Sequence, residues 1–357
     1  MPESKSSYIA ASYANINQKT SSQQHDFDNK IKALKNASIE PVTLTIDPLA
    51  TPWHSEQKAH HFRSGCAPIM ALEHATHLIN QDKQAIIIEA NEPLKTGYSR
   101  EQRHQLMAVY DDETTIADLY NDLAQQFIKN HSLNEQQFTA IAAALFENYK
   151  ATYQRLIDNE KAHFSLPSQQ WYDNVTPLFR GVDCANPLID FAGKLLICSE
   201  EVLAQFGWEE SVKIAGVHCC EINTQDETKE LKTLSQYNHL GIAFDEACNA
   251  AQINFSHEFL HHNALLEAYT CYPIVPMAFL LHSGIVKDVN DIAPFLQDYE
   301  ITITGGMNLA RAPWNAPSLN ALIEMSQRLS NCNQRYGAVH GNGGLGYRQG
   351  VAILERI

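Results

Sequence analysis

Over its first hundred residues the chain alternates runs of two kinds. Residues 7–13, 41–48 and 85–90 are rich in β-branched and aromatic side chains and read as strands, while residues 27–38 and 67–80 repeat apolar side chains every third or fourth position and read as helices. This alternation predicts a layered α/β fold. From about residue 113 to residue 156 the period is helical throughout, which reads as an insertion between strands. Strand character returns at 194–200 and 212–222, and a second alternation follows: a strand over 265–273, a helix across 277–284, a strand over 299–306, a helix over 318–329, and strands at 337–341 and 350–357. Two α/β halves of similar order thus flank a helical insert, a repeat visible in the order of elements and not in residue identity. The boundaries expected are 1–105 for the N-terminal half, 106–175 for the insert, 176–205 for the end of the first half and 206–357 for the C-terminal half. No low-complexity segment or long Gly/Ser/Pro linker separates the halves, so they are expected to pack tightly.

Composition narrows the class. With 357 residues, 44% hydrophobic and 19% charged, the chain can bury a large core. No stretch approaches the roughly 20 uninterrupted apolar residues of a membrane span, and the start lacks the basic flank and apolar run of a signal peptide. A cytoplasmic protein is expected. A formal net charge of −15 argues against nucleic acid or anionic lipid as partner, since both need a dense basic surface. Small molecules or other proteins remain. The eight cysteines stand singly except for the pair Cys219-Cys220, and they read as reduced, mostly buried side chains.

One cysteine differs from the others. Cys66 follows Gly65 and opens a predicted helix whose Ile69, Leu72, Ala75, Leu78 and Ile79 define an apolar face. Pro68 fits there because first-turn residues need no N–H donor. A thiol at a helix N-terminus meets the positive end of the macrodipole and unpaired backbone amides, both of which favour thiolate. That is how a protein makes a cysteine nucleophilic near neutral pH. The alternative for Cys66 is a small residue where a helix packs closely on a strand.

Residues 64–94, with Cys66 near their head, resemble the nucleophile segment of the thiolase superfamily, in which a reactive cysteine opens a buried helix that leads into a strand. Further resemblances follow in chain order. Residues 183–201 are similar to an aspartate-containing turn before a hydrophobic strand, and 265–281 to the third catalytic loop. Residues 301–329 resemble the fourth loop, a Gly-Gly turn leading into a long helix, and 335–356 the closing loop and last two strands. The subgroup most similar is that of the sterol carrier protein thiolases, with acetyl-CoA acetyltransferases beside it. The resemblance implies two fused βαβαβ halves in α/β/α/β/α layers with a helical loop domain. It also implies a homodimer, an acyl-CoA or other acyl thioester as substrate with no resident cofactor, and, in this subgroup, a small OB-fold partner protein. The implied activity is acyl transfer through an acyl-enzyme on Cys66.

The chain departs from the family at three loops. Tyr269-Thr270-Cys271-Tyr272 stands where the third loop carries a histidine, Arg311-Ala312-Pro313 where the fourth carries Gly-His-Pro, and His340-Gly341-Asn342 where the closing loop carries Cys-x-Gly. His340 is then the candidate for proton transfer, since an imidazole serves as base and then as acid; the alternative is a polar residue bonding a Gly-rich turn. Asn315, and Asn342 and Gly343 of the amide-rich turn, are candidate donors or contacts for the thioester. Asn315 equally suits a loop for its own turn bonding. Tyr269 is a candidate wall of the acyl pocket or a core aromatic. A second functional reading keeps the fold and drops the chemistry, leaving an acyl-binding subunit or scaffold.

A competing motif lies in between. His257-Glu258-Phe259-Leu260-His261 has the His-Glu-x-x-His spacing of zinc hydrolases, which needs a helix and a third ligand. Glu267 and His282 are the candidates for that ligand, in stretches that read as a strand and a helix end. No metal is expected. His60 and His61, close to Cys66 in sequence, read as solvent-facing.

Overall fold

The computed structural model of the protein describes residues 5–110, 113–209, 211–224 and 226–357. Residues 1–4, part of the start read as lacking a leader, lie outside these, as do 111 and 112 in the predicted insert and 210 and 225 in the predicted C-terminal half.

The described strands are β1 (Ser7–Ile16), β2 (Val42–Ile46), β3 (His61–Phe62), β4 (Ala85–Pro93), β5 (Asp190–Ser199), β6 (Val212–Glu221), β7 (Ala264–Glu267), β8 (Tyr336–Gly343) and β9 (Arg348–Arg356). They form one mixed sheet in the order β3-β2-β4-β5-β1-β6-β9-β8-β7. The order contains a repeat: β2-β4-β5-β1 is answered by β7-β8-β9-β6, with β2 and β4 parallel like β7 and β8, and the remaining pairs antiparallel. The two half-sheets join through β1 and β6 over two residue pairs, Tyr8 with Lys213 and Ile9 with Val212.

Helix α1 (Gln24–Asn36) lies outside the first half-sheet, with Phe27 and Leu34 against Tyr8, Tyr13 and Leu196. Helix α2 (Ala67–Asn80) is buried at Ala67, Pro68, Ile69, Ala71, Leu72, Ala75, Leu78 and Ile79, which leaves little of its circumference for water. A helix apolar on nearly every side belongs in an interior layer. It packs on the helix Pro317–Leu329, and together they fill the space between the half-sheets. Along β8 and β9, Val339, Ala352 and Leu354 face this central layer. Their neighbours Ala338, Val351 and Ile353 face the opposite way, toward the helices Asn238–Ala251 and Ile274–His282. The period of two thus builds the α/β/α/β/α layers expected.

Between β4 and β5 the chain forms α3 (Arg100–Met107), α4 (Ile116–Asn130) and α5 (Glu135–Asp158). Capping boxes of Thr115 with Asp118 and of Asn134 with Gln137 set the starts of α4 and α5. Their Phe127, Phe138 and Phe146 join the core outside the second half-sheet.

Other expectations change. Residues 299–306 form no strand, because the Ile303 and Thr304 N–H groups donate to the buried Glu267 carboxylate at 2.6 and 3.0 Å instead of to a neighbouring strand. Gly305 and Gly306 then turn the chain at φ 85° and 78°. The strand expected over 265–273 keeps only Ala264–Glu267, and the helix Asn238–Ala251 had no counterpart in the sequence reading. No described helix is long and apolar enough to cross a membrane.

Candidate active site

The turn from β3 into α2 is held from several sides. Arg63 donates to Asp47 through Nε at 3.1 Å and to the carbonyls of Pro52 and Trp53 at 2.6 and 3.0 Å. Asn315 accepts the Ser64 N–H at 3.1 Å, and its amide nitrogen donates to the Asp47 carbonyl at 2.8 Å, so it ties the turn to the end of β2. Ser318 donates to the Gly65 carbonyl at 3.1 Å. Ser64 sits at φ 116°, a region that L residues rarely adopt, and its buried hydroxyl has no partner. Such strain persists only where the surroundings over-determine the conformation. A Cβ at Gly65 would collide with the Tyr269 hydroxyl and the Asn342 carbonyl, so only glycine fits. Cys66 follows as the N-cap of α2, 0% exposed.

Its sulfur lies against β9 and β6. A Cβ at Gly350 would stand 2.8 Å from Cys66 Sγ and 2.9 Å from Cys219 Sγ. The nearness of Cys66, with burial, pushes Cys219 well above the ordinary thiol range. Tyr269, Tyr347 and Arg348 lie close enough to sense a charge on Cys66. Burial pushes the Tyr269 phenol well up, so it stays a protonated hydroxyl at neutral pH.

Strand alternation separates His340 from Cys66. Gly341 faces the central layer, where a Cβ would come 3.3 Å from Cys66 Cα and 2.8 Å from Ile69. His340 faces the other way, its ring 4.8 Å from that of Phe279. The Tyr269 N–H donates to His340 Nδ1 at 3.4 Å, so Nε2 carries the ring proton and donates to Gln349 Oε1 at 2.8 Å. Burial lowers the imidazole to about 4, which keeps it neutral. From Gln349 the bonding continues: its amide donates to Asn342 Oδ1 at 2.7 Å, the Asn342 amide to the Tyr120 hydroxyl at 2.8 Å, and that hydroxyl to the Gly344 carbonyl at 2.7 Å. The structure therefore does not bring His340 and Cys66 together. The closing-loop residue that faces Cys66 is Gly341, and a one-residue step along a strand reverses the face.

A cavity of about 420 Å³ opens over the turn, a size that accommodates a small organic ligand. Its floor includes Gly65, Tyr269, Asn315 and Asn342, and its walls include Tyr110 and Tyr120 from the insert and Tyr272 from the loop after β7. The Tyr120 and Tyr272 rings stack at 4.1 Å. Gly343 does not line it; a Cβ there would meet the Ser64 hydroxyl, and Gly344 takes the place at the wall. Glu227 secures the rim by accepting from the Tyr110 hydroxyl at 3.0 Å and the Leu345 N–H at 2.7 Å, and burial raises it to about 7. Tyr110, Tyr120, Glu227 and Cys219 were not identified from the sequence. The helical period of 114–130 marks Tyr120 as core, and the strand pattern of 212–222 places Cys219 on a strand without saying which face it takes.

No family model and no curated protein matches the chain. Solved structures do. A monomeric SCP2-thiolase like protein type 1 from Mycobacterium smegmatis is similar over 99% of this chain and 78% of its own, with a TM-score of 0.72 at 14% identity. The chain has the thiolase fold. Human mitochondrial 3-ketoacyl-CoA thiolase shares that fold over 99% of both chains, with a TM-score of 0.62 at 11% identity. The Ltp2-ChsH2(DUF35) aldolase shares it over 98% of both, with a TM-score of 0.60 at 14% identity. Acat5 thiolase from Ascaris suum, solved with coenzyme A, is similar over 99% of this chain and 100% of its own, with a TM-score of 0.63 at 11% identity.

Within this thiolase fold the His-Glu-x-x-His run forms no metal centre. The helix Phe255–Leu260 ends before His261, whose ring stacks on that of His257 at 4.0 Å while its Nδ1 lies 2.8 Å from the His257 carbonyl. Glu267 is committed to Ile303 and Thr304, and His282 packs against Gly241 of the helix Asn238–Ala251. Among the described residues no group of three His, Cys, Asp or Glu is placed to hold a metal ion. His61 bonds Asp47 at 2.7 Å rather than facing solvent freely, and His60 lies 5.4 Å from His74 of α2, ring to ring.

Proposed function

We propose that the protein is an acyltransferase in which Cys66 takes an acyl group from an acyl-CoA or another acyl thioester and passes it to a carbon or heteroatom acceptor. The observation that carries this reading is the position of Cys66 at the first turn of the buried central helix of a thiolase fold, directly after Gly65 at the floor of an aromatic-walled cavity. In the first step a C–S bond forms between Cys66 and the thioester carbonyl, and the tetrahedral oxyanion collapses with loss of the carrier thiol, which leaves with a proton. The acceptor then attacks the acyl-enzyme and the Cys66 sulfur departs. The Tyr269 hydroxyl over Gly65 is the donor for the oxyanion. Asn315 holds the turn that carries the nucleophile. His340 is a positioning residue, acting through Gln349 on Asn342 at the cavity floor, and no metal or resident cofactor enters the scheme.

Coenzyme A as carrier is supported by its presence in the Ascaris suum thiolase structure. A small OB-fold partner draws support from the aldolase named with two components. A homodimer rests on the resemblance alone, against a similar protein described as monomeric, and sedimentation equilibrium distinguishes the two.

Incubation with acetyl-CoA and longer acyl-CoAs, followed by intact mass and peptide mapping, tests the proposal. One acyl group on Cys66, absent from Cys66→Ser, is expected. Unmodified wild-type protein with every donor overturns it. The commitment of both His340 nitrogens favours a second reading, an acyl-binding subunit without chemistry, in which Cys66→Ala still binds acyl-CoA and retains function.

A further inference from the structure

The closing loop presents only Gly341 to the nucleophile, yet Cys66 is not without a polar neighbour. β6 brings Cys219 to it. The strand's alternation sends Cys219 toward the central layer and Cys220 to the outer core, so the two adjacent cysteines lie on opposite faces of the sheet. Opposite Cys219 in the register stands Gly350 of β9. A side chain there would press on both sulfurs, Cys66 Sγ at 2.8 Å and Cys219 Sγ at 2.9 Å. The glycine therefore opens a space that both sulfurs border.

Cys184 and Cys271 also lie close enough to sense each other's charge, but their thiols turn to oxygen: Cys184 donates to the Arg180 carbonyl at 3.5 Å and Cys271 to the Tyr120 hydroxyl at 3.7 Å. Cys66 and Cys219 instead both border the space that Gly350 leaves open. Cys219 is half-buried, whereas Cys66 lies fully beneath the surface.

We propose that Cys66 and Cys219 form an oxidisable dithiol, a modification site at which a hydroperoxide converts the two thiols into one disulfide. In the first step the Cys66 sulfur attacks a peroxide oxygen; an S–O bond forms, the O–O bond breaks, and the departing hydroxide takes the thiol proton as water. In the second, the Cys219 sulfur attacks the sulfenic sulfur; the S–S bond forms, the S–O bond breaks, and the leaving hydroxide takes the Cys219 proton. Two thiols and one hydrogen peroxide thus give one disulfide and two waters. The disulfide occupies the Cys66 sulfur and a thiol reductant returns it. The dithiol goes beyond the acyl reading and does not depend on it.

The test uses the full chain without acyl donor. Protein is exposed to graded hydrogen peroxide, quenched with an alkylating reagent and mapped. The expected result is a mass loss of about 2 Da before alkylation, two fewer alkylated thiols of the eight cysteines, and a Cys66–Cys219 cross-linked peptide that a dithiol reductant reverses. In Cys219→Ala the cross-link is absent and Cys66 instead gains oxygen in steps of about 16 Da. A wild-type map without the Cys66–Cys219 peptide overturns the proposal, whether or not the variant folds. So does an equal mass loss in Cys219→Ala. Failure of acyl labelling leaves this result untouched, which keeps the two proposals separable.

Discussion

His340 has both ring nitrogens in use, one receiving the Tyr269 N–H and one donating to Gln349. Removing the ring leaves a buried amide and a buried carbonyl oxygen unpaired, together with a hole beside Phe279. His340→Ala is expected to lower stability by about 2–4 kcal/mol, read from the shift in a urea unfolding midpoint; a change under about 1 kcal/mol contradicts the bonding described. Cys66 was legible in the sequence because a glycine before it and a helical period after it place it at a helix start. Cys219 was not, since nothing in a run of alternating residues says which face meets another element. The same limit put His340 in place of Gly341, because loop resemblance fixes order along the chain and not the direction of a side chain.

At the scale of elements, α2 is the clearest case of sequence dictating place. Its apolar positions follow a helical period in the sequence, and its start and end match that period. Leu72, fully buried between the half-sheets, has no free volume to collapse into, so Leu72→Ala is expected to cost about 2–5 kcal/mol. An alanine at exposed Lys83, just past the helix, serves as the control and is expected to stay within about 0.5 kcal/mol of the parent. Equal effects at the two positions contradict the buried central layer. Residues 299–306 show the converse: alternating Ile and Thr carry the strand period, but the Glu267 carboxylate captures their amides, a long-range competitor invisible to local pattern. The helix Asn238–Ala251 carried a readable period in Leu240, Ala243, Phe244 and Ala247, so its omission reflects no missing signal.

Across the whole molecule, the two-halves architecture was legible from element order, while the buried acids were not. Burial raises Glu92, Glu227 and Glu267 from 4.5 to about 7. Between those values the folded protein keeps protons that the unfolded chain releases, so each carboxyl contributes stability at low pH that is lost as pH rises through about 7. His340 acts in the opposite sense: its contribution is complete above 6.5 and is lost as pH falls toward about 4. Glu227→Gln removes the ionisation, its amide oxygen still accepting the Leu345 N–H while its amide nitrogen turns to the Tyr110 hydroxyl oxygen. It is expected to flatten the fall in unfolding free energy between pH 5.5 and 8 by about 2 kcal/mol, measured by urea titration at both values; an unchanged slope contradicts the assignment. The position of Gly350 also bears on synthesis. Cys66 leaves the ribosome long before β9 exists to cover it, and Cys219 emerges in between. The Cys66 thiol therefore stays uncovered on the nascent chain until the last strand of the sheet has been made.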